Sequence, residues 1–257
     1  NHPYVVIAPS YMVYSIDFDQ FIHTHIDSGA DVTLLYHSVD NAKEAYLTCN
    51  VLNLNRQKGV EAIGPNHGNK KNQNIYMDTC VMKTELFISL VREAKKLSSM
   101  YTLADILNDK CETLDIRGVA HKGFFASITD FPSYYAANMD LLDYKAAQEL
   151  FHENWPIYTR TNDSCPTQYF DTAEVKNSVI SNGCQIEGTV ENSVIGRGCV
   201  IKKGAVVRNS VVLAEVTVGE DVHVENEVVD KWAKLIHKKE IISPADQPGY
   251  IKRNDTL

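Results

Sequence analysis

No apolar run in this 257-residue chain approaches the roughly 20 residues needed to cross a bilayer; the longest, such as Tyr4–Ala8, fall far short. Positive charge is in the minority, 25 basic against 33 acidic residues for a formal charge of −8, the wrong sign for a general nucleic-acid binder. The lysine pairs, such as Lys95-Lys96 and Lys238-Lys239, read as solvated faces. Cysteines stand at 49, 80, 111, 165, 184 and 199 without a C-x-x-C pair, which excludes a zinc ribbon and a dense disulfide framework. Free thiols in a reducing cytoplasm are the expectation. Histidines show no metal-ligand spacing either. His23 and His25 fall on opposite sides of a predicted helix, and His37, His67 and His121 scatter among loops and strand ends. The opening Asn1-His2-Pro3 has no basic n-region and no initiator Met, so the expectation is a processed or cropped chain with more sequence upstream.

What is present is material for a proper core, with 44% hydrophobic and 23% charged residues, enough for one large domain or two ordinary ones. Tyr4–Ala8 reads as a strand buried on both faces. Phe18, Phe21, Ile22 and Ile26 then recur at helical spacing, with Asp17 as N-cap and Gly29 where a C-cap glycine belongs. Asp31–Tyr36 returns to strand, completing a βαβ grammar. Residues 51–74 are polar and turn-rich, a hairpin or a loop. Ile75–Val81 is a strand, Thr84 reads as the N-cap of a helix, and Thr102 with Asp105 marks a second. Gly118–Ile128 reads as one strand, and Pro132 opens further helix up to His152.

After residue 153 the periodicity stops. Residues 154–170, with Pro156 and Pro166, read as a linker between an α/β domain over 1–153 and a second domain over 171–257. In the second, Ile195, Ile201, Val207 and Leu213 recur every six residues, with Ser193, Cys199 and Ala205 two places before the first three. Val200, Val206, Val212, Val218 and Val224 form another six-residue register. Neither a helix nor simple alternation does this. Six-residue sides make the triangular coil of a left-handed parallel β-helix, whereas the strands of a Val-rich sandwich do not repeat at a fixed six. The interval from Val190 to Ile195 breaks the step, and Val218 lies five after Leu213, which predicts a corner adjustment there. Trp232, Leu235, Ile236, Ile241 and Ile242 are the expected cap.

Two stretches narrow this order of domains. Gly123-Phe-Phe-Ala-Ser-Ile-Thr-Asp130 with Ser133-Tyr-Tyr-Ala-Ala-Asn-Met-Asp-Leu-Leu142 resembles the G-Y-W-x-D-V-G-T…S-Y-Y-x-A-N-M-D-L-L signature of bacterial ADP-glucose pyrophosphorylases (glucose-1-phosphate adenylyltransferases). Glu191-Asn-Ser-Val-Ile-Gly-Arg-Gly198 is similar to that family's β-helix, and Val5-Val-Ile-Ala-Pro-Ser-Tyr-Met-Val-Tyr-Ser-Ile-Asp-Phe18 to its L-A-G-D-H-I-Y-K-M-D-Y segment. The resemblance implies an incomplete nucleotidyltransferase-like (Rossmann-like) domain followed by the β-helix. Family chemistry needs magnesium between two aspartates, because a metal clamp must neutralise charge building at the attacked phosphorus. Carried onto this sequence, the first aspartate position is Ser10 or Tyr11 and the second is Ser127.

Other positions drift too. Ala62-Ile-Gly-Pro65 stands where the sugar-phosphate F-x-E-K-P segment would fall, Asn72 takes the serine of A-S-M-G-I-Y, and Thr129 takes the glycine of W-x-D-V-G-T. The nucleotide-gripping G-x-G-x-R-L-x-P-L-T loop has no counterpart. The resemblance therefore implies a regulatory, non-catalytic subunit of a two-gene ADP-glucose pyrophosphorylase in bacterial glycogen synthesis. It would be cytoplasmic, hold no cofactor itself, and sit in a hetero-tetramer whose catalytic subunit carries the magnesium. A sugar-phosphate or nucleotide effector is implied as well, with Arg160 near the domain junction as a candidate contact. Rival readings are an active enzyme recruiting Asp17 or Asp130, a hexapeptide acyltransferase with His223 as general base, and a β-helix serving assembly alone.

Overall fold

The computed structural model describes residues 2–159 and 163–257. It divides into two compact units, one of Asn1–Ser127 with His152–Trp155, the other of Ile128–Phe151 with Pro156–Leu257.

The first unit runs β1 (Tyr4–Ile7), β2 (Met12–Tyr14), α1 (Phe18–Ser28), β3 (Val32–Val39), β4 (Asn50–Leu54), β5 (Val60–Pro65), β6 (Gln73–Lys83), α2 (Thr84–Leu97), α3 (Leu103–Asp109), β7 (Ile116–Ala120) and β8 (Phe125–Ser127). Its main sheet has the order β5-β4-β6-β3-β7, and β1 pairs with the C-terminal part of β6 on the edge opposite β3. β1 and β3 are both antiparallel to β6, so the β1-α1-β3 unit straddles a strand inserted later in sequence. Only β3 and β7 pair in parallel within this sheet. β1 is half-buried throughout rather than buried on both faces, because among the described residues it pairs with β6 alone.

Local signals explain most boundaries. Asp17 accepts from the Gln20 N–H, and Gly29 closes α1 in the left-handed conformation at φ 66°. Thr102 and Asp105 form a reciprocal capping box on α3. Thr84 does not cap α2: it is the first helical residue, and its hydroxyl donates to the His2 carbonyl. The turn-rich stretch is the β4–β5 hairpin. The single strand expected over 118–128 is two, β7 in the main sheet and β8 in a separate pair with β2, divided at Gly123 with φ 104°.

The second unit opens with α4 (Phe131–Asp140) and α5 (Tyr144–Leu150), which group with the solenoid rather than with the α/β part. The Tyr135 hydroxyl donates to the Asn209 carbonyl at 2.5 Å, and Phe131 meets Tyr250 edge-on. Beyond them, three parallel five-stranded sheets form a β-solenoid of about four turns. All the pairing is parallel, which rules out the sandwich. The columns Val190-Val207-Val224, Ile195-Val212-Val229 and Ile186-Ile201-Val218-Leu235 point inward and are buried. Burial of each such side chain contributes about 1.5–3 kcal/mol.

From Val190 onward the six-residue register is right for two sides and wrong for the third; before it, Ile186 to Val190 is a step of only four. Val190 to Ile195, Val207 to Val212 and Val224 to Val229 are steps of five, while Ile195 to Ile201 to Val207 keeps six. Val212, not Leu213, therefore points inward, and Val200 and Val206 face outward. The short side recurs in four successive coils, from Val175–Ile180 to Val224–Val229, and is no local bulge; in the last coil Ile241 to Ile251 is a step of ten. Its corner is an Asn in left-handed conformation, Asn177, Asn192, Asn209 and Asn226 at φ 43–56°. Three of the four corners follow the Asn with Ser. The Ser178 hydroxyl accepts from the Ser193 N–H, Ser193 from the Ser210 N–H and Ser210 from the Glu227 N–H. Such a turn closes the corner with one residue fewer.

The end of the solenoid also differs from expectation. Leu235 and Ile241 belong to the interior, and Trp232, Ile236 and Ile242 are exposed. The last edge is instead covered by the tail, whose Asp255 and Leu257 carbonyls accept from the Lys234 and Ile236 N–H groups. Arg253 lies over the Trp232 ring at 4.1 Å.

Candidate functional site

The β2–β8 pair sets Met12 opposite Ser127, so the two chain segments to which the resemblance assigns metal-holding aspartates are cross-strand neighbours. Ser10 is exposed and Tyr11 half-buried. The Ser127 hydroxyl lies 3.3 Å from the Cys49 thiol. The Tyr11 phenol donates to Asp78, a residue that periodicity gave no reason to single out. Asp78 sits where β6 slips against β3: Leu35 faces Thr79 but Tyr36 faces Tyr76, and Asp78 takes φ 46°. A bulge of this kind re-aims a side chain that regular alternation would send elsewhere.

The electrostatics follow from burial. Desolvation holds the Asp78 carboxyl above its ordinary range, and the Tyr11 hydrogen bond only partly offsets this. Burial, and then the neighbouring carboxylate, push the Tyr11 phenol up. Burial also raises the Cys49 thiol. The cluster thus has one carboxyl, already bonded to a phenol and biased toward its neutral form, and a serine hydroxyl on a thiol. Magnesium beside phosphates takes one or two carboxylates together with waters and phosphate oxygens in octahedral geometry, and these side chains, whose single carboxyl is tied to the Tyr11 phenol, do not fit it. Among the described residues no group of three or more His, Cys, Asp and Glu could hold a metal ion.

Beside this cluster lies a pair of histidines that the sequence reading left apart. His37 Nδ1 is 3.1 Å from His121 Nδ1, and His121 Nε2 is 2.9 Å from the Ser15 carbonyl oxygen. A carbonyl can only accept, so His121 carries its proton on Nε2, its Nδ1 accepts, and His37 Nδ1–H donates. Burial lowers both rings, His37 to about 4 with His121 as the second cause. His37 also packs at 5.1 Å against Phe125, on which Tyr46 stacks.

Other sequence-derived positions separate. Asn72 is exposed and lines an open groove of about 760 Å³ together with Ala62, so these two drifted positions open onto one groove. Thr129 falls in the second unit, ahead of α4, with its N–H bonded to the Ser133 hydroxyl. Asp17 and Asp130 are N-caps, on α1 and α4. His25 is buried on Thr33 and His23 is exposed on the Asp19 carbonyl. His223 lies on an outer face of the solenoid, 3.0 Å from Glu225. Arg160 lies outside the described residues. No helix among the described residues is long and apolar enough to cross a membrane.

A parallel solenoid preceded by a sheet-and-helix unit defines the class, and comparison with known proteins agrees. Residues 166–247 match the GlmU-like, C-terminal hexapeptide family. The chain is 32% identical over 204 residues to the glycogen biosynthesis protein GlgD of Geobacillus stearothermophilus, covering 79% of this chain and 49% of that protein. It is 28% identical over 233 residues to the glucose-1-phosphate adenylyltransferase of Fervidobacterium nodosum, covering 89% and 55%. A GlgD of Bacillus subtilis is 26% identical over 250 residues, covering 97% and 62%. The chain is thus a homologue of the GlgD proteins and glucose-1-phosphate adenylyltransferases, with a GlmU-like hexapeptide region at its C-terminal end. It spans about half the length of the curated relatives it matches.

Proposed function

We propose that this chain belongs to a regulatory subunit of glycogen synthesis that makes no ADP-glucose itself and works in a hetero-tetramer with an active glucose-1-phosphate adenylyltransferase in the cytoplasm. One observation carries the reading. The β2–β8 pairing brings Met12 beside Ser127, yet the positions matched to the family's aspartates are Ser10 or Tyr11 and Ser127, and Tyr11 occupies the nearby Asp78. Without paired carboxylates, charge developing at the attacked α-phosphorus of a transferred nucleotidyl group has no metal clamp. Magnesium and the reacting substrates then belong to the catalytic partner, and this chain contributes assembly and response to a sugar-phosphate or nucleotide effector.

The decisive experiment assays the complete protein with ATP, glucose 1-phosphate and magnesium, alone and with the adenylyltransferase of its source. No turnover alone, and a changed rate or effector response in the mixture, is the expected outcome; robust turnover alone sinks the reading. Manganese binding followed by electron paramagnetic resonance separates metal from chemistry. The native chain should leave the ion free in solution, while Tyr11→Asp with Ser127→Asp should gain binding.

A further inference from the structure

One outer face of the solenoid carries an ordered charge pattern that the functional reading leaves unused. Its strands present two outward columns flanking the inward Val175-Val190-Val207-Val224-Ile241 column. The first column reads Glu174, Thr189, Val206, His223, Glu240, and the second reads Lys176, Glu191, Arg208, Glu225, Ile242. Along its first four strands the second column alternates in sign: plus, minus, plus, minus. Glu191 lies between two cations, 3.4 Å from Lys176 and 3.3 Å from Arg208, and His223 Nε2 stands 3.0 Å from Glu225 without a hydrogen bond. Lys176 and Arg208 keep 80% and 45% of their side-chain surface in solvent, so they can each take a second partner.

An alternating row of four is its own complement when reversed. We propose that this face binds a second copy of the same chain, solenoid axes antiparallel, about a two-fold axis that runs along the strands between the Thr189–Glu191 and Val206–Arg208 strands. In that register Lys176 meets Glu225 of the second copy and Glu191 meets its Arg208. In the other column Glu174 meets His223, and Thr189 meets Val206. Every opposed charged group then faces an opposite charge or an imidazole. Shifting the axis onto the Val206–Arg208 strand would set Glu191 against Glu225, so the pattern selects its register, as an isologous interface requires.

The contact is small. Four strands about 4.8 Å apart and three residues wide cover a few hundred Å², against ~800 Å² per partner in a standard interface. Charge therefore governs it, and the association is weak and sensitive to salt. The inference does not depend on the proposed function.

Analytical ultracentrifugation of the chain at about 20 mM and about 500 mM salt tests it. A dimer fraction at low salt that falls at high salt is expected. Arg208→Glu alone and Glu191→Arg alone should each run as monomer, since each opposes like charges across the axis. An equimolar mixture of the two variants should dimerise again. Positions 191 and 208 are then both acidic in one copy and both basic in the other, so each contact across the axis joins opposite charges. Ion pairs that serve only the fold within one chain cannot be rescued by mixing. A monomeric native chain at low salt, a dimer untouched by Arg208→Glu, or a mixture that stays monomeric overturns the proposal.

Discussion

The two units of this protein are specified in different ways. In the solenoid each coil repeats the last, so the side chain above a residue is its equivalent one coil away, and Ser193, Cys199 and Ala205 are buried for the same reason in neighbouring corners. In the sheet unit no residue repeats another's setting. Its distinctive cluster depends on one slip between β3 and β6, on the pairing of two three-residue strands, and on contacts such as Tyr11 to Asp78 that span 67 residues. A repeat distributes stability over interchangeable positions; a bulge concentrates chemistry at one.

The contrast can be broken first in the solenoid interior. Ile201 is fully buried between Ile186 and Val218. Ile201→Ala should cost about 2–5 kcal/mol through lost transfer energy and an unfilled cavity. Hydrogen exchange should locate the loss in the coils on either side and leave β3 and β6 protected. Loosening of both units to the same degree would show that they do not unfold separately.

A smaller effect comes from acid, where the units should diverge in sign. His37, His121 and His25 all have lowered folded-state values, His37 from 6.5 to about 4, mainly because burial penalises the charged ring. A depressed histidine contributes stability that is present above pH 6.5 and lost as pH falls toward about 4. Asp78 opposes this in the same unit, because its raised carboxyl favours the folded state more as pH falls. In the solenoid the shifted buried carboxyl is Glu227, also raised by burial, whose contribution grows on acidification. Exchange rates corrected for intrinsic pH dependence should therefore show the first unit opening between pH 6.5 and 4 while the coils around Glu227 hold. His37→Gln should flatten the trend in the first unit. An identical acid response in both units would remove the histidine pair as its cause.

What could be read in advance follows the same division. Asp17, Gly29, Thr102 and Asp105 announced their helix ends because caps are local, settled by residues within one turn. The hexads announced the solenoid because its core is periodic. Asp78 and the His37–His121 pair were invisible: Asp78 depends on a partner 67 residues away and on a bulge no local pattern encodes, and the histidines, 84 residues apart, meet only through the parallel pairing of β3 with β7. The split at Gly123 was missed because two short strands of similar composition read as one. The resemblance named Ser127, and only the fold put Cys49 against it.

The five-residue side lies between these extremes, since its marker was local but unused. Asn-Ser-Val occurs at 177, 192 and 209, and each Asn holds positive φ at a corner where a regular six-residue side would need another residue. If the left-handed conformation sets the short step, Asn192→Ala should cost about 1–2 kcal/mol, the usual penalty for a Cβ there. Asn192→Gly should recover most of that loss, short of the hydrogen bond that Asn192 Oδ1 accepts from Asn177. Thermal unfolding of the three proteins, native above Gly above Ala, measures it. Should Ala and Gly fall equally, the Asn side-chain ladder rather than the backbone would be closing the corner, and the short side would be a property of stacked amides.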